Sequence, residues 1–428
     1  MGSAKEPLRL LVDFAELMVD MWQQCLSEKY HAPIYYLGAL VSYVLQLNAD
    51  VVAPHIISSL IPVCITTCKL VALPRYHSLD GDISQHPDDA VRQLSVGGEV
   101  PQSMSLLYLA ALGCMSSPAE LEIPFPSNIS SRVQFWKTVD MDFVIVMLSP
   151  KHPEVEWYTA LALLSTSALP DSLGPIPNTI SGYETTRSQP PEIVADACIE
   201  RVSYCLQETP RWAPPGSIKE LQARLAVLKT LILFATSPFA LLQMASNNET
   251  IQRLVTTLCR AIDQLYDVDS PLAIKETDET STSGPSDRDE SRKEVGDSAA
   301  KEFYDHDIME LDSIDSQTSE EEPVDVEIDE DADEDVSALL CCIIARAMRL
   351  LHTLITDSRC AHRVDMTTQL ASLSGGSQRY LVALARLNFA EDDLVLEAGI
   401  DGETLDLAHD LLELAVTPDD AEGMMDLF

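Results

Sequence analysis

The segment SIKELQARLAVLKTLILFA, which runs from Ser217 to Ala235, gives the clearest indication of the fold. Ser217 and Glu220 have the spacing of a capping box, in which two side chains satisfy unpaired amides at a helix N-terminus. Behind them, apolar residues recur every three or four positions, as they do on the buried face of a helix. These residues are Ile218, Leu221, Leu225, Leu228, Ile232 and Ala235. The segment therefore predicts a capped helix with a continuous apolar stripe.

The same helical spacing recurs towards both ends of the chain. Near the start, one helical face would carry Leu11, Phe14, Met18, Met21 and Cys25. Two later stripes are Ile251, Leu254, Leu258, Ile262 and Leu265, and then Leu340, Ile343, Ala347, Leu350 and Leu354. Each stripe predicts another helix with a face to bury.

The segments between these stripes are also helical in pattern. Gln102–Met115 and Arg132–Leu148 each predict one helix, and Pro33 opens an apolar segment that runs to about Leu47. Several segments have more than one apolar face, as the inner helices of a stacked array do. No strand-like alternation competes with them. We therefore predict an all-α fold, an α-solenoid of HEAT- or armadillo-like helix pairs, although no repeat consensus can be extracted.

One stretch interrupts the helical pattern. Residues 271–336 contain 25 Asp or Glu against 5 Lys or Arg, a net charge of −20, and almost no aromatic residue. Such a composition cannot bury enough surface to fold alone. We therefore predict an N-terminal helical-repeat region over residues 1–266, a long disordered acidic insertion over 267–336, and a C-terminal helical region over 337–428.

Composition also bears on the classes of partner. The chain has 68 acidic and 28 basic residues, a formal net charge of −40, which repels nucleic-acid phosphates. The apolar stretch Val51–Leu73 is long enough to span a membrane. It nevertheless contains two prolines and a lysine and has no flanking basic cluster. We expect no direct contact with nucleic acid and no membrane span.

The ten cysteines fall mostly inside apolar helical patterns, where a free Cys behaves as a small hydrophobe. No secretory signal begins the chain, which favours a reducing compartment. Cys64 and Cys68 lie one helical turn apart, but no neighbouring His or Cys completes a zinc set. We therefore expect no metal site.

Catalytic and cofactor motifs are absent from the sequence. It contains no Walker-type loop, dinucleotide fingerprint, zinc-protease helix, nucleophile elbow or kinase signature. The Gly-rich stretch at residues 374–377 has no following Lys and no preceding strand, so it predicts a turn or cap. We predict that the protein is not an enzyme and binds no cofactor. An enzyme whose site is assembled from dispersed residues is the open alternative.

The C-terminus has a specific pattern. Residues 417–420, Thr-Pro-Asp-Asp, have the composition of a helix start. Ala421, Met424, Met425 and Phe428 follow on one helical face, and the sequence ends there. This stripe would pack on the preceding helix or dock into a partner's groove, to which flexible Met side chains adapt. Met424, Met425 and Phe428 are our candidate partner-binding residues.

Several segments together resemble the ATR-interacting checkpoint proteins of filamentous fungi, the ATRIP/UvsD family. The segments that carry the resemblance are residues 21–26 (MWQQCL), 52–55 (VAPH), 74–76 (PRY), 80–82 (DGD), 105–114 (SLLYLAALGC), 169–175 (LPDSLGP), 210–212 (PRW), 375–381 (GGSQRYL), 394–400 (LVLEAGI) and 416–418 (VTP). They extend over nearly the whole chain apart from the acidic insertion. They are family-like segments without a catalytic signature.

The resemblance implies a non-catalytic regulatory adaptor of an ATR-type checkpoint kinase, acting in the nucleus in the DNA-damage and replication-stress response. Such proteins recruit a large kinase of the phosphatidylinositol-kinase-like class to single-stranded DNA coated by replication protein A, so the association with DNA would be indirect. The family places an acidic recruitment motif and a coiled coil before its helical repeats. Residues 1–30 show neither feature, so we expect the helical-repeat part alone.

Without the resemblance, the residues themselves indicate only an acidic helical scaffold. A scaffold protein of another pathway, such as transport or chromatin assembly, is therefore the alternative function. Ser316 precedes Gln317 within the acidic insertion, and checkpoint kinases prefer Ser-Gln dipeptides. We expect Ser316 to be a phosphorylation site.

Overall fold

Every regular element of the computed structural model is a helix within the residues it describes, which are 5–116, 130–176, 190–268, 330–373, 375–389 and 400–415. The α-helices are α1 Lys5–Ser27, α2 Ile34–His77, α3 Asp89–Val96, α4 Glu99–Ser116, α5 Ser131–Thr138, α6 Met141–Met147, α7 Glu154–Ser165, α8 Pro191–Tyr204, α9 Ile218–Ala235, α10 Pro238–Ser246, α11 Asn248–Val268, α12 Glu330–Thr356, α13 Met366–Ala371, α14 Gly376–Asn388 and α15 Gly402–Ala415. A short 3₁₀ helix, Ala361–Arg363, precedes α13.

The helices are stacked in two rows. In one row α2, α4, α7, α9, α12 and α15 each pack against the next, and in the other α6, α8, α11 and α14 do the same. Contacts between the rows pair α6 with α7, α8 with α9, α11 with α12 and α14 with α15. This arrangement of stacked pairs confirms the predicted α-solenoid.

Helix α9 shows how the sequence produces an inner helix. Glu220 donates its backbone N–H to Ser217 Oγ at 3.2 Å, while its carboxylate accepts the N–H of Gly216 at 2.6 Å. The predicted cap is therefore present, with Gly216 rather than Ser217 as the second donor. Leu228 on the predicted stripe and Phe234 outside it are both fully buried. Apolar residues on more than one face let α9 pack against α7, α8 and α12.

Helix α2 is much longer than the segment predicted from Pro33 to Leu47. It continues to His77, with a kink at Asn48 (φ −155°, ψ 61°) and prolines at positions 54 and 62 inside it. By length and composition, α2 and the Val336–Thr356 part of α12 could each cross a membrane. The most apolar window of α2 is 61% buried within the protein, because α1 and α4 pack against it.

The prediction of one helix over Arg132–Leu148 is wrong. The structure has two helices there, α5 and α6, with a break at Val139 and Asp140. Asp140 Oδ1 accepts the N–H of Phe143 at 2.7 Å and so caps a new helix. An Asp inside a helical pattern can compete in this way with the continuing helix.

The helices on the two sides of the acidic insertion share one apolar core. Helix α12 packs against α9 and α11, and its stripe from Leu340 to Leu354 is buried. Helix α12 begins at Glu330, within the range that the sequence analysis assigned to the insertion. Residues 269–329 lie outside the described residues.

Candidate protein interaction surfaces

The first helix buries less of its apolar face than the sequence predicts. Met18 is 8% exposed, but Phe14 is 40% and Met21 is 45% exposed. Helix α1 packs against α2, which covers only one side of its broad apolar surface. The helix is present as predicted, but the face that carries Leu11, Phe14, Met18, Met21 and Cys25 is only partly buried.

The uncovered side of α1 forms a regular stripe. Leu10, Phe14, Leu17 and Met21 follow one another at helical spacing, and Leu10 and Leu17 are 66% and 54% exposed. Exposed carboxylates of Asp13, Glu16 and Asp20 lie along one edge of this stripe. A contiguous apolar stripe with a charged edge is typical of a protein interface.

The first half of α2 carries a second exposed stripe. Tyr36, Leu40, Tyr43 and Leu47 recur at the same spacing, and Tyr36 and Tyr43 are 70% and 63% exposed. Residues 32–49 contain no charged side chain, in a chain of net charge −40. Helices α1 and α2 pack against each other, and we refer to their two exposed stripes together, eight residues in all, as the apolar N-terminal face.

A cleft of about 620 Å³ lies at the other end of α2. The end of α2, the loop that follows it, α3, the loop before α7 and the loop before α9 line this α2–α3 cleft. Three of the family-like segments meet here, since Arg75, Asp80–Asp82 and Arg211–Trp212 all line the cleft. These segments are distant in the sequence, and no motif links them.

Two cations hold the loop after α2 in place. Lys151 Nζ donates to the carbonyl oxygens of Tyr76 at 2.8 Å and Ser78 at 2.6 Å. Arg211 Nη2 donates to the carbonyl oxygen of Leu79 at 2.9 Å. Within the same loop, Asp82 accepts the N–H and the hydroxyl of Ser84, and these hydrogen bonds lower the pKa of the Asp82 carboxyl. The cleft wall is therefore preformed.

A buried ion pair forms the floor of the cleft. Glu156 Oε2 lies 2.7 Å from Arg75 Nη1 and 2.9 Å from His152 Nδ1. The side chains of Arg75 and Glu156 are only 8% and 4% exposed. Because a buried charge requires a partner, the three side chains stabilise one another only as a set.

Aromatic rings adjoin this floor. The Trp212 ring lies 5.8 Å from that of Trp157 and 5.2 Å from that of Tyr158, measured between ring centroids. Burial, reinforced by the charge of Glu154, raises the pKa of Tyr158 to about 12. Tyr158 is therefore neutral at physiological pH and contributes packing rather than charge.

The structure does not describe the residues predicted as sites. Ser316 and the C-terminal candidates Met424, Met425 and Phe428 are outside the described residues. Close to the C-terminal candidates in sequence, a groove of about 430 Å³ lies between the ends of α14 and α15. Phe389, which is 74% exposed, lines this groove.

The two cysteines considered as metal ligands, Cys64 and Cys68, are fully buried in α2. Burial raises the pKa of both thiols far above its usual value, so both stay protonated and pack as small apolar side chains. Across the ranges that the structure describes, no group of three His, Cys, Asp or Glu side chains is arranged to hold a metal ion.

Sequence reasoning missed both surfaces for different reasons. The apolar N-terminal face had a usable signal, namely the charge-free run of residues 32–49 with its recurring Tyr and Leu. The α2–α3 cleft had none, because its polar lining comes from positions as far apart as Arg75 and Trp212. Only tertiary contacts bring such positions together.

Two family models match the chain. The model described as "Rad26-like, helical repeats" matches residues 63–355, and the one described as "Rad26-like, C-terminal domain" matches residues 364–428. A crystal structure of Myceliophthora thermophila Rad26 (residues 373–841) is 46% identical in sequence, with a TM-score of 0.75, and the match covers 98% of this chain and 90% of that chain. A comparison with curated proteins gives no match.

These matches correct the assignment to the ATRIP/UvsD family, which is wrong: the matching models and the solved relative are Rad26 proteins. Most of the segments behind the resemblance lie within the matched ranges. Among those that the structure describes, residues 105–114 belong to the packed helix α4, and Arg75 and Arg211 make contacts around the α2–α3 cleft.

Proposed function

The chain belongs to the Rad26-like family, whose members are non-catalytic partners of an ATR-type checkpoint kinase, and we propose that the apolar N-terminal face holds that kinase. The observation that carries this proposal is the concentration of exposed apolar side chains. Of 22 large hydrophobic residues exposed within the described ranges, 10 fall between Leu10 and Leu47. Covering such a surface stabilises a complex by about 25 cal/mol per Å² of apolar area removed from water.

The charge around the face favours a basic partner. Asp13, Glu16 and Asp20 border the α1 stripe, so two copies of the chain would oppose like charges there. A helical surface with an apolar centre and a Lys- or Arg-rich edge would complement both features. We therefore assign the face to the helical-repeat region of the kinase rather than to a second copy of the chain.

Charged substitutions on the face test the assignment. We expect Leu17→Glu combined with Tyr43→Glu to abolish co-purification with the kinase, because two carboxylates would be buried against apolar partners. Leu233→Glu is a matched control, since Leu233 is 46% exposed on α9, away from the face. Both variants should keep the wild-type melting temperature, because the replaced side chains are already in water.

Two results would contradict the proposal. Full kinase binding by the Leu17→Glu, Tyr43→Glu variant would exclude the face as the contact surface. Loss of self-association instead, measured as a halved mass by light scattering, would identify a second copy of the chain as the occupant.

The C-terminal residues are proposed as a further kinase contact, on the strength of the stripe Met424, Met425 and Phe428. Their replacement by Ala should reduce kinase binding and leave the melting temperature of the isolated chain nearly unchanged. If these side chains are instead core residues, the chain should lose roughly 2–5 kcal/mol of unfolding free energy per residue. The melting curve therefore separates an interface from an end cap.

Family membership and net charge together support a proposal about where the protein acts in the cell. As a checkpoint adaptor, the chain would act in the nucleus, would have no catalytic activity of its own, and would reach replication protein A-coated single-stranded DNA only indirectly. A net charge of −40 disfavours direct contact with DNA, and the burial of α2 within the array disfavours a membrane span. Binding of naked single-stranded DNA by the purified chain would contradict this proposal.

Ser316 is proposed as a target of the kinase because a Ser-Gln dipeptide lies in the most acidic part of the chain. Phosphorylation adds further negative charge to this segment. It would therefore create a binding site for a partner protein rather than order the segment. Mass spectrometry after DNA damage that detects other sites but finds Ser316 unmodified would refute the assignment.

A further inference from the structure

The α2–α3 cleft is not explained by the packing of the array or by the apolar N-terminal face. Its volume of about 620 Å³ is within the range of binding clefts for small ligands and short peptide segments. Its wall is held by the hydrogen bonds of Lys151 and Arg211 to loop carbonyls. A preformed wall reduces the entropic cost of binding a ligand.

The cations of the cleft fall into two groups. Arg75 is neutralised by Glu156, and Arg92 is paired with Asp89. Lys151 and Arg211, by contrast, make their hydrogen bonds to backbone carbonyls, and no carboxylate forms an ion pair with either of them in the part of the chain that the structure describes. These two side chains have donor capacity left for an anion.

Two residues that line the cleft each carry a buried polar atom without a partner. His152 is 1% exposed and its Nε2 has no hydrogen bond, and the same is true of the buried Nε1 of Trp212. An unsatisfied buried polar atom costs roughly as much free energy as a hydrogen bond contributes, so it points to a missing partner. On the other side of the same ring, His152 Nδ1 lies 2.9 Å from Glu156 Oε2.

We propose that the α2–α3 cleft binds a phosphorylated serine or threonine within an extended segment of a partner protein. The phosphate would be held by Lys151, Arg211 and the indole N–H of Trp212. A phosphate offers three acceptor oxygens and a charge near −2, which suits these three donor groups better than the two oxygens of a carboxylate. The cleft is far larger than a phosphate, so it has room for neighbouring peptide residues.

The carboxylates in the cleft add a preference. Asp80 and Asp82 line the same cleft, and both side chains accept hydrogen bonds within their own loop. Their negative charges would favour a basic residue beside the phosphoresidue and would repel a continuous phosphate backbone. We therefore expect phosphopeptides with a flanking Lys or Arg to bind, and single-stranded DNA not to bind.

Binding assays with the purified full chain test the proposal. The probes are a library of fluorescent peptides with a fixed phosphoserine and randomised flanks, the same library with serine, and a single-stranded oligonucleotide. We expect only the phosphorylated library to bind, with enrichment of basic flanks. Arg211→Gln should weaken the binding of selected peptides on the order of tenfold, as expected for loss of a charged donor.

Two further variants separate binding from folding. Trp212→Phe removes the unpartnered N–H but keeps a ring against Trp157 and Tyr158, so it should fold normally and still bind phosphopeptide several-fold more weakly. Arg363→Gln removes an exposed cation outside the cleft, one that binds Ser246 Oγ, and should leave binding unchanged. The proposal would be overturned if the serine library bound as tightly as the phosphoserine library, or if the oligonucleotide bound in a way that depends on Arg211. Unaltered phosphopeptide binding by Trp212→Phe would also overturn it.

Discussion

At the scale of single residues, the burial of charged side chains decides which substitutions cost the most stability. The Arg75–Glu156 pair is almost completely buried, whereas Glu154, two residues earlier on α7, forms an exposed pair with Lys219. Two carboxylates on one helix thus have opposite surroundings. Removing one partner of a buried pair leaves an unpaired charge in the interior, while an exposed pair is replaced by water.

This contrast predicts different costs for the same substitution. Glu156→Ala should lower the free energy of unfolding by about 3–5 kcal/mol, because Arg75 would remain buried without its counterion. Glu154→Ala should change it by less than about 1 kcal/mol. Chemical denaturation of both variants measures the difference, and equal costs would mean that water reaches Arg75.

At the scale of elements, the contact between α2 and α4 depends on one glycine. A Cβ atom added to Gly113 would lie 2.4 Å from the carbonyl oxygen of Ala49, next to the kink of α2 at Asn48. The backbones of α2 and α4 are therefore in direct contact at Ala49 and Gly113. Any side chain at position 113 must push them apart.

Gly→Ala substitutions at two helical positions test this close approach. Gly113→Ala should destabilise the protein by about 1–3 kcal/mol, the usual cost of overpacking. Gly402→Ala, at the start of α15, has nothing within 4 Å of the new Cβ and should be neutral or stabilising by up to about 1 kcal/mol. Thermal melting would refute the role of Gly113 if both variants melted alike.

At the scale of the whole molecule, the array is continuous in space although its sequence is interrupted. Helix α12 follows the acidic segment yet packs against α9 and α11, so one core includes both sides of the interruption. Helices from the predicted regions 1–266 and 337–428 share this core. The division of the chain into those regions therefore stays a prediction. The family model of Rad26-like helical repeats likewise matches residues 63–355, on both sides of the acidic segment.

We therefore expect the acidic segment to be dispensable for folding. Replacing residues 271–329 by a Gly-Ser linker of about 12 residues should leave helicity, melting temperature and kinase binding unchanged, because the cost of closing a loop varies only with the logarithm of its length. Extending the replacement to residue 336 would also remove the first turns of α12. Circular dichroism and co-purification measure both outcomes, and a large loss of helicity in the shorter replacement would show that the segment packs.

The sequence by itself determined the class of fold. The stripes from Ile251 to Leu265 and from Leu340 to Leu354 are buried as predicted, and Ser217 caps α9. Helical periodicity and caps are local properties, because a helix satisfies its backbone within a few residues. The same locality explains the error at Asp140, where a cap competed with a continuing apolar pattern.

Only the tertiary structure decided which apolar residues stay exposed and which polar residues meet. Phe14 and Met18 are equivalent in the sequence pattern, but only Met18 has a neighbouring helix to cover it. Arg75, His152 and Trp212 become neighbours because the end of α2, the loop before α7 and the loop before α9 come together at one place. Exposure and convergence depend on contacts between distant segments, which local periodicity does not encode.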